Sequence, residues 1–170
     1  MGEVGVSLKS VMNKKNGFMS QRIVILNGAN LNLLGVRQPD IYGRETLKDI
    51  ENMCRKTAKA AGFELDFKQS NHEGDLIDWV QDARTQAAGL ILNPAGFTHT
   101  SVALMDAVLA CDMPVIEVHL SNIYQRESFR QHSYISAAAR AVISGLGGLG
   151  YKLAVDAMVE IVNQERRKDV

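Results

Sequence analysis

From Arg22 onward the chain repeats one unit: a short apolar run, rich in β-branched residues and ending at a turn former, followed by a longer stretch with helical spacing. The runs are "RIVILNG" (22–28), "LILN" (90–93), "PVIEVHL" (114–120) and "AVISG" (141–145). Between and after them come "TLKDIENMCRKTAKAAG" (46–62), "EGDLIDWVQDARTQAAG" (73–89), "SVALMDAVLAC" (101–111) and "YKLAVDAMVEIVNQERRK" (151–168). Strands that are apolar on both faces must be covered on both faces. Parallel neighbours also need a crossover, usually a helix, so this alternation predicts a parallel sheet between two helical layers. "FELDFKQS" (63–70) alternates by two and reads as a half-buried strand near an edge. Five strands and about five helices in this order predict a flavodoxin-like doubly wound five-stranded parallel sheet, three-layer α/β/α.

At 170 residues with 46% hydrophobic content, the chain can bury one core and has no room for a second domain. The fold is expected over 21–170. The leader, 1–20, has lysines but no long apolar stretch, and is expected to lie outside it. Nineteen basic residues balance nineteen acidic ones, with no long run of like charge. That excludes the electrostatic footprint of a nucleic-acid or membrane binder and points to a small-molecule ligand. Two cysteines without CxxC spacing suit a reduced, cytoplasmic protein.

Ligands of doubly wound sheets bind outside the carboxyl ends of the strands, so the loops there are the ones to search. After the first strand stands Asn30; after the third, Asn93 and His99 among hydroxyl residues; after the fourth, Glu117, His119, Ser121, Asn122, Arg126 and Arg130. Glu117 and His119, two apart on a strand, share a face. They read as a carboxylate orienting a general acid or base, as a mutually satisfied buried pair, or, joined by His99, as metal ligands. Asn30 and Asn93 are turn formers or ligand-holding amides. Arg126 and Arg130, one turn apart, clamp an oxyanion or lie on a solvated face. His72 and His132 read as structural or surface residues and Trp79 as core. "GLGGLG" (145–150) fits a dinucleotide-binding pattern, but it opens the last βα unit with no later strand for the acidic partner, so close helix–strand packing is its expected role. One loop, "GVRQPDIYGRETL" (35–47), is unusual in placing Arg37 and Arg44 around Tyr42.

Four ordered blocks, "NGANLNLLGVRQPDIYG", "QSNHEGDLIDW", "ILNPAGFTHTSVALMDA" and "IEVHLSNIYQRESFRQHSY", carry a resemblance to the type II 3-dehydroquinate dehydratases from about Arg22 to Val162. Ala29 stands where that family usually has proline. The resemblance implies loss of water from 3-dehydroquinate to give 3-dehydroshikimate, an anti elimination through an enolate, in the shikimate route or in quinate breakdown. It implies neither metal nor organic cofactor. A tyrosine, with an ordinary pKa of about 10, needs a cation beside it to act as a base at neutral pH. By resemblance, Tyr42 removes the C2 proton and Arg37 lowers the pKa of its phenol. Asn30 holds a water against the enolate oxygen, and His119, oriented by Glu117, protonates the departing C1 hydroxyl. Asn93, His99 and Arg130 bind substrate hydroxyls, and the backbone N–H groups of Leu120 and Ser121 receive the carboxylate. Asp106 is supplied by a neighbouring subunit of a trimer, four of which form a dodecamer. Arg44 matches no catalytic position and is expected to be a helix-approach residue.

Overall fold

In the computed structural model, which describes residues 21–36 and 45–168, the four apolar runs and the alternating segment 63–70 become five parallel strands. The expectations for the 1–20 leader and for Arg37, Tyr42 and Arg44 lie outside the described residues. The strands are β1 (Arg22–Asn27), β2 (Glu64–Gln69), β3 (Gly89–Asn93), β4 (Val115–His119) and β5 (Ala141–Ser144), in the sheet order β2-β1-β3-β4-β5. Four α-helices connect or follow them among the described residues: α1 (Leu47–Ala60), α2 (Glu73–Gln86), α3 (Val102–Leu109) and α4 (Leu149–Lys168). Short 3-10 turns, not further α-helices, follow β1, β3 and β4.

Alternation along each strand divides the core in two. Ile23, Ile25, Ile91, Ile116 and Val118 face α1 and α4; Val24, Leu26, Leu90, Leu92 and Val115 face α2 and α3. Most of these side chains are fully buried, each contributing about 1.5–3 kcal/mol relative to exposure. The helix starts follow from capping. The Thr46 hydroxyl accepts from Asp49 N–H at 3.2 Å while the Asp49 carboxylate accepts from Thr46 N–H at 3.0 Å, and at the other end Gly62 turns the chain at φ 80°. Ser101, not Thr100, caps α3, accepting from Leu104 N–H at 2.9 Å.

β2 is a half-buried edge strand, as expected: Leu65 through Gln69 are all half-buried, and Leu65 and Phe67 pack on the core under α1 and α4. One expectation changes. The glycine-rich turn does more than allow close packing. Gly150 is buried against Ile143 and Val118, as expected, whereas Gly145 (φ 88°) and Gly147 (φ 56°) adopt left-handed conformations that disfavour other residues. Their N–H groups donate to the carbonyls of His119 (3.2 Å) and Leu120 (2.9 Å), so they buttress the end of β4 and do not cradle a phosphate.

At the point where strand order reverses, β1 and β3 lie side by side with Asn27 opposite Asn93. Gly28 continues that contact, donating to the Asn93 carbonyl at 2.8 Å, and a Cβ on it would sit 2.2 Å from the Pro94 carbonyl oxygen. Any other residue there would push the two strand ends apart.

Candidate active site

The carboxyl ends of β1, β3 and β4 enclose a cavity of about 360 Å³, the size of a small organic ligand. Its lining draws on the turn after β1 (Asn30, Leu31), the end of β3 and its following turn (Asn93, His99), and β4 with the segment after it (His119, Leu120, Ser121, Arg126, Arg130). The loops that the sheet rule singled out do converge.

Glu117 is completely buried at the centre of β4 and survives as a carboxylate because donors surround it. Oε1 accepts from Thr98 Oγ1 at 2.5 Å, from His119 Nε2 at 2.7 Å and from Ser133 Oγ at 2.8 Å; Oε2 accepts from Ser136 Oγ at 2.5 Å. Burial pushes the Glu117 pKa up, but the hydrogen bond and charge of His119, with the hydroxyls of Ser136 and Thr98, outweigh it, and the group lies below its ordinary 4.5. An ionised carboxylate only accepts, so Nε2 of His119 carries a proton and Nδ1 is the nitrogen left for the cavity that the ring lines. Such a ring can deliver a proton from Nδ1 when doubly protonated, with Glu117 as its counter-charge.

A second network lies beneath the floor of the cavity, on the opposite face of the sheet. Asn93 donates through Nδ2 to the Tyr151 hydroxyl at 2.8 Å and accepts at Oδ1 from Ala95 N–H at 3.1 Å. Tyr151 donates to Asn27 Oδ1 at 2.7 Å, and Asn27 Nδ2 donates to the Lys68 carbonyl at 2.9 Å. Asn93 is therefore a fixed amide with one N–H still uncommitted among these contacts. Burial pushes the Tyr151 phenol well above its ordinary range, which keeps it neutral.

The remaining candidates are placed as follows. Asn30 sits in the left-handed region (φ 69°), tolerated by asparagine, with its N–H donating to Asn71 Oδ1 at 2.8 Å and the residue at the cavity wall. His99 donates through Nδ1 to the His132 carbonyl at 2.7 Å, which fixes its tautomer and leaves Nε2. His132 is itself exposed, its ring packed edge-on against Tyr134 at 4.6 Å, so its role is structural. Arg130 lines the cavity with a buried Nε that makes no hydrogen bond, although it stands 3.1 Å from Glu127 Oε2; a ligand oxygen would suit it. Leu120 and Ser121 line the cavity at the strand end. Asp106 is exposed on α3 and forms no part of the cavity of its own chain. Among the described residues no three His, Cys, Asp or Glu side chains gather as a metal site, and the hydroxyl donors on Glu117 suit an anion, not a cation.

The family model for Dehydroquinase class II matches residues 21–159. The chain belongs to the class II dehydroquinases. The 3-dehydroquinate dehydratase 2 of Pseudomonas aeruginosa is 54% identical over 142 residues, covering 84% of this chain and 96% of that protein. The 3-dehydroquinate dehydratase of Maricaulis maris is 57% identical over 141 residues, covering 83% and 97%. Among solved structures, the type II dehydroquinase of Propionibacterium acnes superposes with a TM-score of 0.80 at 37% identity, covering 84% of this chain and 98% of that one.

Within this class II dehydroquinase, the sequence named the residues of the charged pair but not their support. Thr98, Ser133 and Ser136 were missed as partners of Glu117, as was Tyr151 as the partner of Asn93. The i,i+3 serines of "HSYIS" (132–136) were the available signal for two of them. Tyr151 offered none, because its partners lie 58 and 124 residues away in the chain.

Proposed function

We propose that this chain is a 3-dehydroquinate dehydratase, a hydro-lyase that removes water from 3-dehydroquinate by anti elimination through an enolate to give 3-dehydroshikimate. The observation that carries the reading is the Glu117–His119 pair, a buried carboxylate holding Nε2 of a cavity-lining imidazole at 2.7 Å, in a chain of this family. His119 is the acid for the C1 hydroxyl, Glu117 its orienter. Tyr42 is the base for the C2 proton and Arg37 the cation that favours its phenolate. Support for that assignment is the resemblance of the loop and the position of Leu33 and Leu34, just before it, in the cavity wall.

Asn30 holds a water at the enolate oxygen, where hydrogen bonds strengthen as charge develops. Asn93, His99 and Arg130 bind hydroxyls, supported by the remaining N–H of Asn93, the remaining nitrogen of His99 and the place of Arg130 in the cavity wall. The N–H groups of Leu120 and Ser121 take the carboxylate. Asp106 serves a neighbouring subunit's site in a trimer, with four trimers forming a dodecamer; its exposure away from its own cavity supports this. The reaction belongs to the shikimate pathway or to quinate breakdown, and the site is the cytoplasm. No helix among the described residues is long and apolar enough to cross a membrane.

The test is direct: 3-dehydroquinate is added and the conjugated enone of the product is followed by ultraviolet absorbance. Turnover that persists in excess chelator and disappears in Tyr42→Phe, with product still bound, is the expected result. Wild-type turnover in Tyr42→Phe removes the phenolate from the mechanism.

A further inference from the structure

The hydroxyls around Glu117 have no part in the chemistry assigned above, yet they occupy both of its oxygens. We infer that Thr98, Ser133 and Ser136 are positioning residues that lock Glu117 as an acceptor-only carboxylate turned toward His119, and thereby fix which imidazole nitrogen faces the substrate. The inference rests on His119 acting as the acid, and deepens that reading.

The proton inventory carries the argument. Three donors approach Oε1 and one approaches Oε2, and each hydroxyl has a single proton to give. Thr98 Oγ1 and Ser133 Oγ also lie 2.7 Å apart, and Ser133 Oγ accepts the Ser136 N–H at 2.9 Å. For Glu117 to take a proton, one hydroxyl must stop donating and turn to accept. Every neighbour is thus arranged against the neutral acid. If Glu117 were protonated, its hold on the Nε2–H of His119 would weaken, and the ring could turn or exchange tautomers, presenting the wrong nitrogen to the leaving group.

Placement supports the same role. Ser133 stands just before the 3-10 turn Ile135–Ala137 and Ser136 within it, and the turn is pinned by Ile135, a residue with no exposed surface. Thr98 comes from the opposite side, in the turn Ala95–His99, and its carbonyl accepts from Tyr134 N–H at 2.9 Å, tying the two turns together. The hydroxyls therefore arrive on two cross-linked segments and not on a loose loop. Among the described residues, the charged and titratable groups that line the cavity with His119 are His99, Arg126, Glu127 and Arg130.

Full-length Ser136→Ala, Ser133→Ala and Thr98→Val, with Ser136→Thr and Thr98→Ser as conservative controls, decide the matter. Losing one hydrogen bond to a charged group is expected to move the acid limb of the kcat profile up by about one to two pH units in Ser136→Ala. A drop in kcat of about tenfold at neutral pH is expected with it, KM little changed, and Ser136→Thr returns both toward wild type. The 15N signals of the His119 imidazole, assigned with His119→Asn, provide a readout that needs no turnover. For the neutral ring, wild type shows the Nε2–H tautomer, and Ser136→Ala shows a larger share of Nδ1–H. An unshifted acid limb, or a fall in kcat with His119 signals like wild type, overturns the inference. Should Ser133→Ala fail to fold, Ser136→Ala decides alone, since among the described residues it removes the one donor at Oε2. If wild type does not turn over 3-dehydroquinate, the functional reading fails, while the 15N titration still tests the hydroxyl lock by itself.

Discussion

Two buried polar networks sit on opposite faces of the same sheet at the same strand ends, and they obey opposite rules. Under α4, Asn27, Tyr151 and Asn93 form a neutral chain. On the other face, Glu117 and His119 form a charged one, with Thr98, Ser133 and Ser136 as donors. Tyr151 is fully buried and has one donor, Asn93; desolvation wins and the phenol stays protonated. Glu117 is as deeply buried, but four donors converge on it and it stays ionised. A phenol starts near 10 and is neutral at neutral pH even without burial, whereas Glu117 starts at 4.5 and is held ionised against burial by the hydrogen bond and charge of His119 and the hydroxyls of Ser136 and Thr98. The proposed base, Tyr42, is the same residue type as Tyr151, and only its surroundings could make it a phenolate.

If the charged network is for chemistry and the neutral one for architecture, substitutions in the two should fail differently. The largest effect is expected at His119. Removing a general acid costs about 10²–10⁴ in rate, so His119→Gln, whose amide can still donate to the buried Glu117 carboxylate, should lose that much kcat in the absorbance assay while its thermal midpoint stays near wild type. An equal loss of stability would erase the distinction. Tyr151→Phe should do the reverse. It strands Asn27 Oδ1 and an Asn93 N–H in the core, at a cost of about 1–3 kcal/mol. Chemical denaturation at fixed protein concentration should show that loss, with the pH dependence of kcat unmoved.

The difference between the networks also explains what could be read from sequence. The parallel sheet and its layers were legible because strand burial and helix periodicity are local patterns: Ile23 to Leu26 alone declare both faces of β1 covered. The Glu117–His119 pair was legible because two residues on one strand share a face by geometry. Tyr151 was not, since its contacts depend on how α4 crosses β1 and β3, which no local pattern encodes. Glycine chemistry was half legible: Gly150 packs as expected, but the backbone angles of Gly145 and Gly147 arise from a turn whose partners are carbonyls of another strand. β2 was legible as a half-buried edge strand because its alternating sequence is a local pattern, although its burial along the strand is uniform.

The third expectation concerns acid. The Glu117 pKa is lowered in the folded protein, so its contribution to stability is fully present above the ordinary 4.5 and is lost as pH falls through the folded value. Across that window one group gives a slope of at most about 1.4 kcal/mol per pH unit. Denaturation midpoints between pH 6 and pH 3 should decline less steeply in Glu117→Gln than in wild type. In Tyr151→Phe the slope should match wild type, because the neutral network takes up no proton there. A Glu117→Gln slope like that of wild type would mean that the buried carboxylate is no better held in the fold than in the unfolded chain.

The smallest effect probes the joint between the networks. Ala95 lines the cavity in the left-handed region (φ 53°) and gives its N–H to Asn93. An L-residue there costs about 1–2 kcal/mol, and glycine relieves it at an entropic cost of about 0.4–1 kcal/mol in the unfolded chain. Ala95→Gly should therefore stabilise by about 0.5 kcal/mol, a rise of about 1–2 °C in Tm. Because that N–H holds the amide that Tyr151 also holds, the gain should change in the Tyr151→Phe background and stay the same in His119→Gln, a double-mutant comparison that assigns the strained turn to one network. Equal gains in both backgrounds would show that the turn relaxes independently of Asn93, and that the neutral chain ends at Asn93 and does not extend into the cavity wall.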